Sequence, residues 1–411
     1  MAQAARLRLC VLAQLLNYIG IPVRTWVQGV QETLSFELSM NEQIKLSSRL
    51  LAYLRQTYAL NEFPALYEQY LAWRETRPFA GCRILEATPL FRNTLAKFLP
   101  LLAGGASVSV SGSSALLFDQ NILKLLPQFG IERENFSAPR QAYDLIMDCA
   151  GIHANTPSRC GYVELTRSGL EHYREKKAPV FLADEGQCKV IETSLGTGDG
   201  FFRAMQKLGY RQWEKKTVAI FGAGKVGCGI AFYCHKAGAD VYLIDDSKKT
   251  TAPAGIKLLD WHDYQNQEEI LFRADCIITA TGVAGALRGH PLIPRVLRKP
   301  VLLANMGVED EFGDAVPDKT RVLKQNQPLN FILEEPTRLP FIDPTMALSN
   351  IALLELLQGK MQAGLNLPKP QQEQDILQTI RQKGCIGKEL ECLPVICPAS
   401  AKLPRSLKTQ A

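Results

Sequence analysis

The segment TVAIFGAGKVGCGIAFYCHKAGADVYLIDDS, residues 217–247, constrains the fold more than any other part of the chain. Thr217 to Phe221 read as a buried parallel strand, and Gly222, Gly224 and Gly227 then give G-x-G-x-x-G where that strand meets a helix. The first glycine allows a tight turn, the second lets the backbone approach a pyrophosphate, and the third lets helix and strand pack closely. Lys225 and Val226 open the helix, whose free N–H groups and positive dipole end suit phosphate. The following strand ends at Asp245. A carboxylate there accepts hydrogen bonds from ribose hydroxyls and repels a 2′-phosphate, which points to NAD over NADP despite Lys248 and Lys249.

Further strand-like runs, ADCIITATG, KPVLLANMG and LNFILEE, continue this alternation, and after Pro344 the stretch TMALSNIALLELLQGKMQ reads as a helix. A second alternation precedes it. CRILEA (82–87), ASVSVSG (106–112), YDLIMDCAG (143–151) and PVFLAD (179–184) are short apolar runs, the first three with helical stretches between them. That pattern indicates another parallel sheet with crossover helices. Residues 1–75 read as helical, with a capping box at Ser39–Glu42 and an amphipathic helix, not a signal peptide, at the N-terminus. The fold class expected is α/β: a Rossmann-type NAD-binding domain (201–344) inserted into an α/β domain (76–200 and 345–370). A helical N-terminal region precedes it and a tail, 371–411, follows.

Composition narrows the partners. With 46% hydrophobic and 21% charged residues, the 411-residue chain can bury a sizeable core. A net charge of +6 gives no support to a nucleic-acid role, and no apolar run is long enough for a membrane span. Eleven cysteines without a CxxC suit reduced thiols in the cytoplasm. Cys385, Cys392 and Cys397 cluster without a histidine after them, so no metal site is expected.

Between about 60 and 360 the chain resembles the S-adenosylhomocysteine hydrolase family. NEFPALYEQYLAWRETRPFAGCRI, GYVELTRSGLEHYRE, GTGDGFFRAM, ITATG, ANMG and DPTMALSN are each similar to a family segment, in the same order. The resemblance implies a substrate domain interrupted by an NAD domain, a site in the cleft between them and a homo-oligomer. It implies chemistry in which bound NAD transiently oxidises a small-molecule substrate. By the same resemblance Gly222, Gly224, Gly227, Asp245, Thr166, Thr279, Thr281, Gly282, Asn305 and Asn350 match cofactor positions, and GTGDG matches a glycine turn serving as a hinge.

The substrate positions depart from the family. Pro89 and Val308 stand where it has histidines, Cys149 where it has an aspartate, Leu165 beside Glu164 where it has a glutamate, and Asp343 where it has a further histidine. Its catalytic lysine aligns with Cys188, one residue from Lys189, and its partner aspartate with Glu192. Lys189 is therefore a candidate base with a depressed pKa or a solvated linker lysine, and Glu192 a base, a hydroxyl clamp or a surface acid. Cys188 is a candidate nucleophile. Asp148, at a strand's C-terminal end, and His153 nearby are candidate substrate or acid/base groups, and Asp343 and Glu164 candidate substrate binders. The reading is an NAD-dependent enzyme with altered substrate chemistry. The alternatives are an inactive NAD-binding regulator and a true hydrolase with a rearranged site.

Overall fold

The computed structural model describes residues 42–111, 118–134 and 142–396. The N-terminal amphipathic segment, Ser39 to Asn41 of the capping box, and Cys397 lie outside the described residues. Helix α1 covers 42–54 and α2 covers Pro64–Thr76.

Two parallel sheets follow, as the two alternations require. The first has seven strands, numbered along the chain: β1 (Arg83–Glu86), β2 (Ser107–Ser111), β3 (Glu132–Glu134), β4 (Tyr143–Asp148), β5 (Ser158–Glu164), β6 (Pro179–Leu182) and, from far downstream, β12 (Gly364–Asn366). Their order is β12-β6-β5-β4-β1-β2-β3. The second holds β7 (Thr217–Phe221), β8 (Asp240–Asp245), β9 (Lys257–Asp260), β10 (Cys276–Thr279) and β11 (Leu302–Asn305), in the order β11-β10-β7-β8-β9. Strand order reverses between β1 and β4 in the first sheet and between β7 and β10 in the second. Such reversals open crevices beyond the strands' carboxyl ends.

The connection from first sheet to second is helical from Gln187 to Lys207: α3 (Gln187–Val190), a π-helical stretch (Ile191–Gly196) and α4 (Thr197–Lys207). GTGDG, expected as a hinge turn, is therefore helix. Its glycines answer to packing instead. A Cβ on Gly198 would meet the Gly229 carbonyl oxygen at 2.8 Å, and one on Gly229 would meet that of Ser194 at 2.0 Å. So α4 and the helix α5 (Lys225–Lys236) touch backbone to backbone.

The expected strand LNFILEE is also replaced, by a 3-10 turn at Leu329–Ile332, since an apolar run alone does not separate strand from short helix. The return helix α6 starts at Leu339, before Pro344, and runs to Leu357. Every residue of it from Leu339 to Asn350 is buried, the polar ones included. One continuous core joins the sheets, with Ile84 and Met147 of the first in the same cluster as Ile220 and Ile278 of the second. Beyond 370 the chain forms α7 (Pro370–Lys383), with Ile376, Leu377 and Ile380 buried. No described helix is long and apolar enough to cross a membrane.

Candidate functional site

The turn after β7 has the geometry a dinucleotide needs. Gly222 adopts φ +106°, and a Cβ there would lie 2.4 Å from the Ala280 carbonyl oxygen. A Cβ on Gly227 would lie 1.9 Å from the Gly222 carbonyl oxygen, so helix and turn meet in contact. Around Gly224 there is open space, and α5 starts there with no side chain capping its N–H groups. Asp245, half-buried at the end of β8, accepts from Ala223 N at 2.6 Å and from Asp246 N at 2.6 Å. The backbone thus fixes the carboxylate beside the glycine turn, with lone pairs left for ribose hydroxyls. These residues fit NAD.

The rest of this cradle is held by its own contacts. Thr279 donates to Asn305 Oδ1 at 3.0 Å, and Asn305 Nδ2 donates to the carbonyls of Gly307, Glu309 and Asn326. These two residues set the loops after β10 and β11 rather than pointing into open space. Thr281 N, Thr281 Oγ1 and Gly282 N all donate to the carboxylate of Glu311, which is fully buried. Lys225, at the phosphate end, donates instead to the carbonyl of Asp184 at 2.9 Å and to its carboxylate at 3.3 Å. It links the cofactor turn to the loop after β6.

The strip between the sheets resolves into two faces because helical phase turns about 100° per residue. Cys188 faces the core and is fully buried, its N–H donating to Glu373 Oε1 of α7 at 2.8 Å and its carbonyl accepting from Thr345. Burial pushes its thiol well above the usual range, and Glu373 adds to this. A thiolate nucleophile is therefore not formed here.

Lys189 faces the other way and pairs with Glu192 at 2.8 Å. Burial works against its charge, but Glu192 and Asp184 more than offset it, and the ammonium is held above the ordinary lysine range. Its pairing with Glu192 thus opposes the depressed pKa expected for a lysine beside bound NAD. Of the pair, Glu192 is the accessible end, its side chain 23% exposed against 9% for Lys189. The π-helical stretch starting at Ile191 places Glu192; such stretches recur at functional sites.

The other sequence candidates make hydrogen bonds within the fold. Asp148 accepts from Cys149 N, His153 N and the Tyr173 hydroxyl, the last at 2.6 Å. Burial raises its pKa to about 7 against these bonds. His153 is buried, with Nδ1 2.8 Å from Thr156 Oγ1 and Nε2 3.0 Å from Ser111 Oγ. Glu164 takes Ala150 N, Gly151 N, Thr166 N and Thr166 Oγ1, so Glu164 and Thr166 shape the loop after β4. Asp343 lies inside α6 and accepts from Ala65 N and Leu66 N, both at 3.0 Å, capping α2. Asn350 donates to the Lys97 carbonyl at 3.1 Å.

Three buried groups stand out in the structure and were not singled out from sequence. Glu373 holds the start of the 187–207 helix, Glu311 holds the 281–282 turn, and Glu86 forms an ion pair with Lys97. Glu86 carried the same signal as Asp148, a carboxylate at the C-terminal end of an apolar strand. Among the described residues no group of three or more potential metal ligands assembles. Cys385 is exposed and Cys392 half-buried, both as free thiols.

Comparison with known proteins agrees with this geometry. A family model described as NAD(P)-binding matches residues 210–288. The chain is 25% identical over 275 residues to an adenosylhomocysteinase of Sulfurisphaera tokodaii, covering 59% of this chain and 64% of that protein. It is 27% identical over 300 residues to an adenosylhomocysteinase of Sulfolobus acidocaldarius, covering 64% and 70%. It is 26% identical over 283 residues to an S-inosyl-L-homocysteine hydrolase of Methanopyrus kandleri, covering 61% and 65%. The match therefore spans just under two thirds of the first of these relatives. A dipicolinate synthase chain of Bacillus halodurans superposes with a TM-score of 0.45 at 15% identity, over 67% of this chain and 98% of that one. The resemblance read from the motifs is thus a distant one to adenosylhomocysteinases, and NAD is the cofactor that resemblance and the cradle share.

Proposed function

We propose that this chain is an NAD-dependent enzyme that acts by oxidation, transient or net, of a hydroxyl-bearing small metabolite, and that it is not a standard adenosylhomocysteine hydrolase. The single observation behind this is the Lys189–Glu192 ion pair, set between the two sheets and beside the Asp184–Lys225 link to the cofactor turn. The glycine turn, the N-terminus of α5 and Asp245 hold the dinucleotide. Bound NAD supplies a hydride acceptor. Lys189, kept as a cation, donates to the substrate oxygen and orients it. Glu192 takes the hydroxyl proton as the carbon is oxidised and returns it if the carbon is reduced again. The substitutions at Pro89, Cys149, Asp343 and Val308 remove the groups with which the adenosylhomocysteinase family holds and activates its substrate, which argues against its reaction here.

A second reading, an inactive NAD-binding regulator of a related enzyme, is favoured by one observation. Asp148, Glu164 and Asp343 spend their carboxylates on the chain's own backbone. Native mass spectrometry of the purified chain tests the proposal's premise: it should show NAD retained in a homo-oligomer, with a small co-purified ligand. A chain that carries neither NAD nor any affinity for it contradicts both readings.

A further inference from the structure

At the strand reversal of the seven-stranded sheet, between β1 and β4, lies a second charged pair that the chemistry above does not use. Glu86 ends β1, and Lys97 ends the 3-10 helix Asn93–Lys97 that follows. Their side chains are 1% and 2% exposed, and Lys97 Nζ lies 2.8 Å from Glu86 Oε2. Thr88 Oγ1 accepts from Lys97 at 2.8 Å and donates to Glu86 Oε2 at 3.1 Å. All of this falls on one oxygen of the carboxylate. The other, Glu86 Oε1, is buried with no partner, and so is Asn350 Oδ1, on the side chain that donates to the Lys97 carbonyl. Of the three N–H groups on Lys97 Nζ, two donate to oxygens among the described residues, and the ammonium also lies 5.5 Å from the centre of the Phe98 ring.

Position ties this cluster to the site. Glu86 pairs in register with Met147 of β4, two residues before Cys149. The Cys149 thiol, pushed up to about 12 by burial, feels the opposing ammonium groups of both Lys189 and Lys97. Glu86 therefore stands at the carboxyl end of β1 beside that of β4, where parallel sheets take their ligands. A buried carboxylate oxygen without a donor is costly to the fold, and in a native structure it calls for a partner. Glu86 and Lys97 together are neutral, so a charged ligand group would lose its hydration there without compensation. A hydroxyl donates and accepts from a single atom.

We propose that Glu86 and Lys97 form a subsite for a neutral hydroxyl of a polyhydroxylated ligand, which donates to Glu86 Oε1 and accepts from Lys97 Nζ. This rests on the reading of the cleft as a small-molecule site and names the group recognised there.

The test titrates the full chain, with and without NAD, with adenosine as a source of ribose hydroxyls and with its 2′-deoxy and 3′-deoxy forms. A site built to bind a hydroxyl rejects the analogue lacking it, so one deoxy form should bind at least about tenfold more weakly. The E86L/K97M double variant should keep its melting temperature and NAD binding and should lose that discrimination. E86Q, which preserves side-chain volume, should lose it as well. Equal affinity across the series, or no binding of adenosine, overturns the subsite. So does a double variant that melts lower yet still discriminates, since the pair is then structural and its spare oxygen meets only internal water. Loss of NAD binding with the adenosine pattern intact overturns the cofactor reading instead.

Discussion

Gly227 shows what a single residue decides here. Its missing Cβ lets α5 rest on the Gly222 carbonyl, so Gly227→Ala should cost ~1–3 kcal/mol by overpacking and abolish NAD binding. Calorimetric titration of NAD checks this, and wild-type affinity in the variant would contradict it. Asp343 makes a different prediction. Burial raises its pKa from 3.8 to about 7, against the two backbone N–H groups it accepts. The folded chain thus binds this proton more tightly than the unfolded chain. The stabilisation is complete below the unfolded value and is lost as pH rises through the folded one. Melting temperature should therefore fall between about pH 4 and pH 7, and Asp343→Asn should flatten that slope. Identical slopes in both proteins would refute the assignment.

The same residues show what the sequence makes legible. The three glycines and Asp245 act through local geometry, so their roles are readable from spacing. Asp343 meets Ala65 and Leu66 across 278 and 277 residues, and no local pattern discloses that contact. Family resemblance puts it at a substrate position, and the structure gives it to a helix cap.

At the scale of elements, the helix from 187 to 207 carries the candidate chemistry, and α7 holds its beginning. The Glu373 carboxylate takes Cys188 N, and a Cβ on Gly186 would sit 2.5 Å from it. Glu373→Ala strips the buried acceptor from the Cys188 N–H, at about 1–3 kcal/mol. Cys188 should then react with a thiol reagent faster than in the wild type, where it is fully buried. Mass mapping of the labelled peptide reads this out, and an unchanged Cys188 rate would show that α7 does not hold the strip. Reading GTGDG as a turn hid the choice between Cys188 and Lys189, because only a helix fixes which of two adjacent residues faces inward. The parallel strands were legible in advance, since strands buried on both faces leave continuous apolar runs. LNFILEE has the same texture and forms a 3-10 turn, which marks the limit of that signal.

At the scale of the molecule, the chain leaves the first sheet after β6, builds the second, and returns through α6 to β12. That path brings the glycine turn after β7 to the loop after β6, beside the helical strip that carries the Lys189–Glu192 pair. Lys225 ties the two sides together through Asp184. The two parallel sheets were foreseeable from two strand–helix alternations. The side-chain pairing between them was not, since it depends on how two sheets meet. The central claim is that this site oxidises a small hydroxyl-bearing molecule, with Glu192 taking the proton. The most direct measurement follows reduced-nicotinamide absorbance on mixing the NAD-loaded chain with a panel of nucleosides, sugars and amino acid derivatives. At least one of them should reduce the bound NAD in the wild type, and Glu192→Gln should slow that ~10²–10⁴-fold with NAD affinity unchanged. Bound NAD that no member of the panel reduces, or equal rates in the two proteins, would contradict that claim.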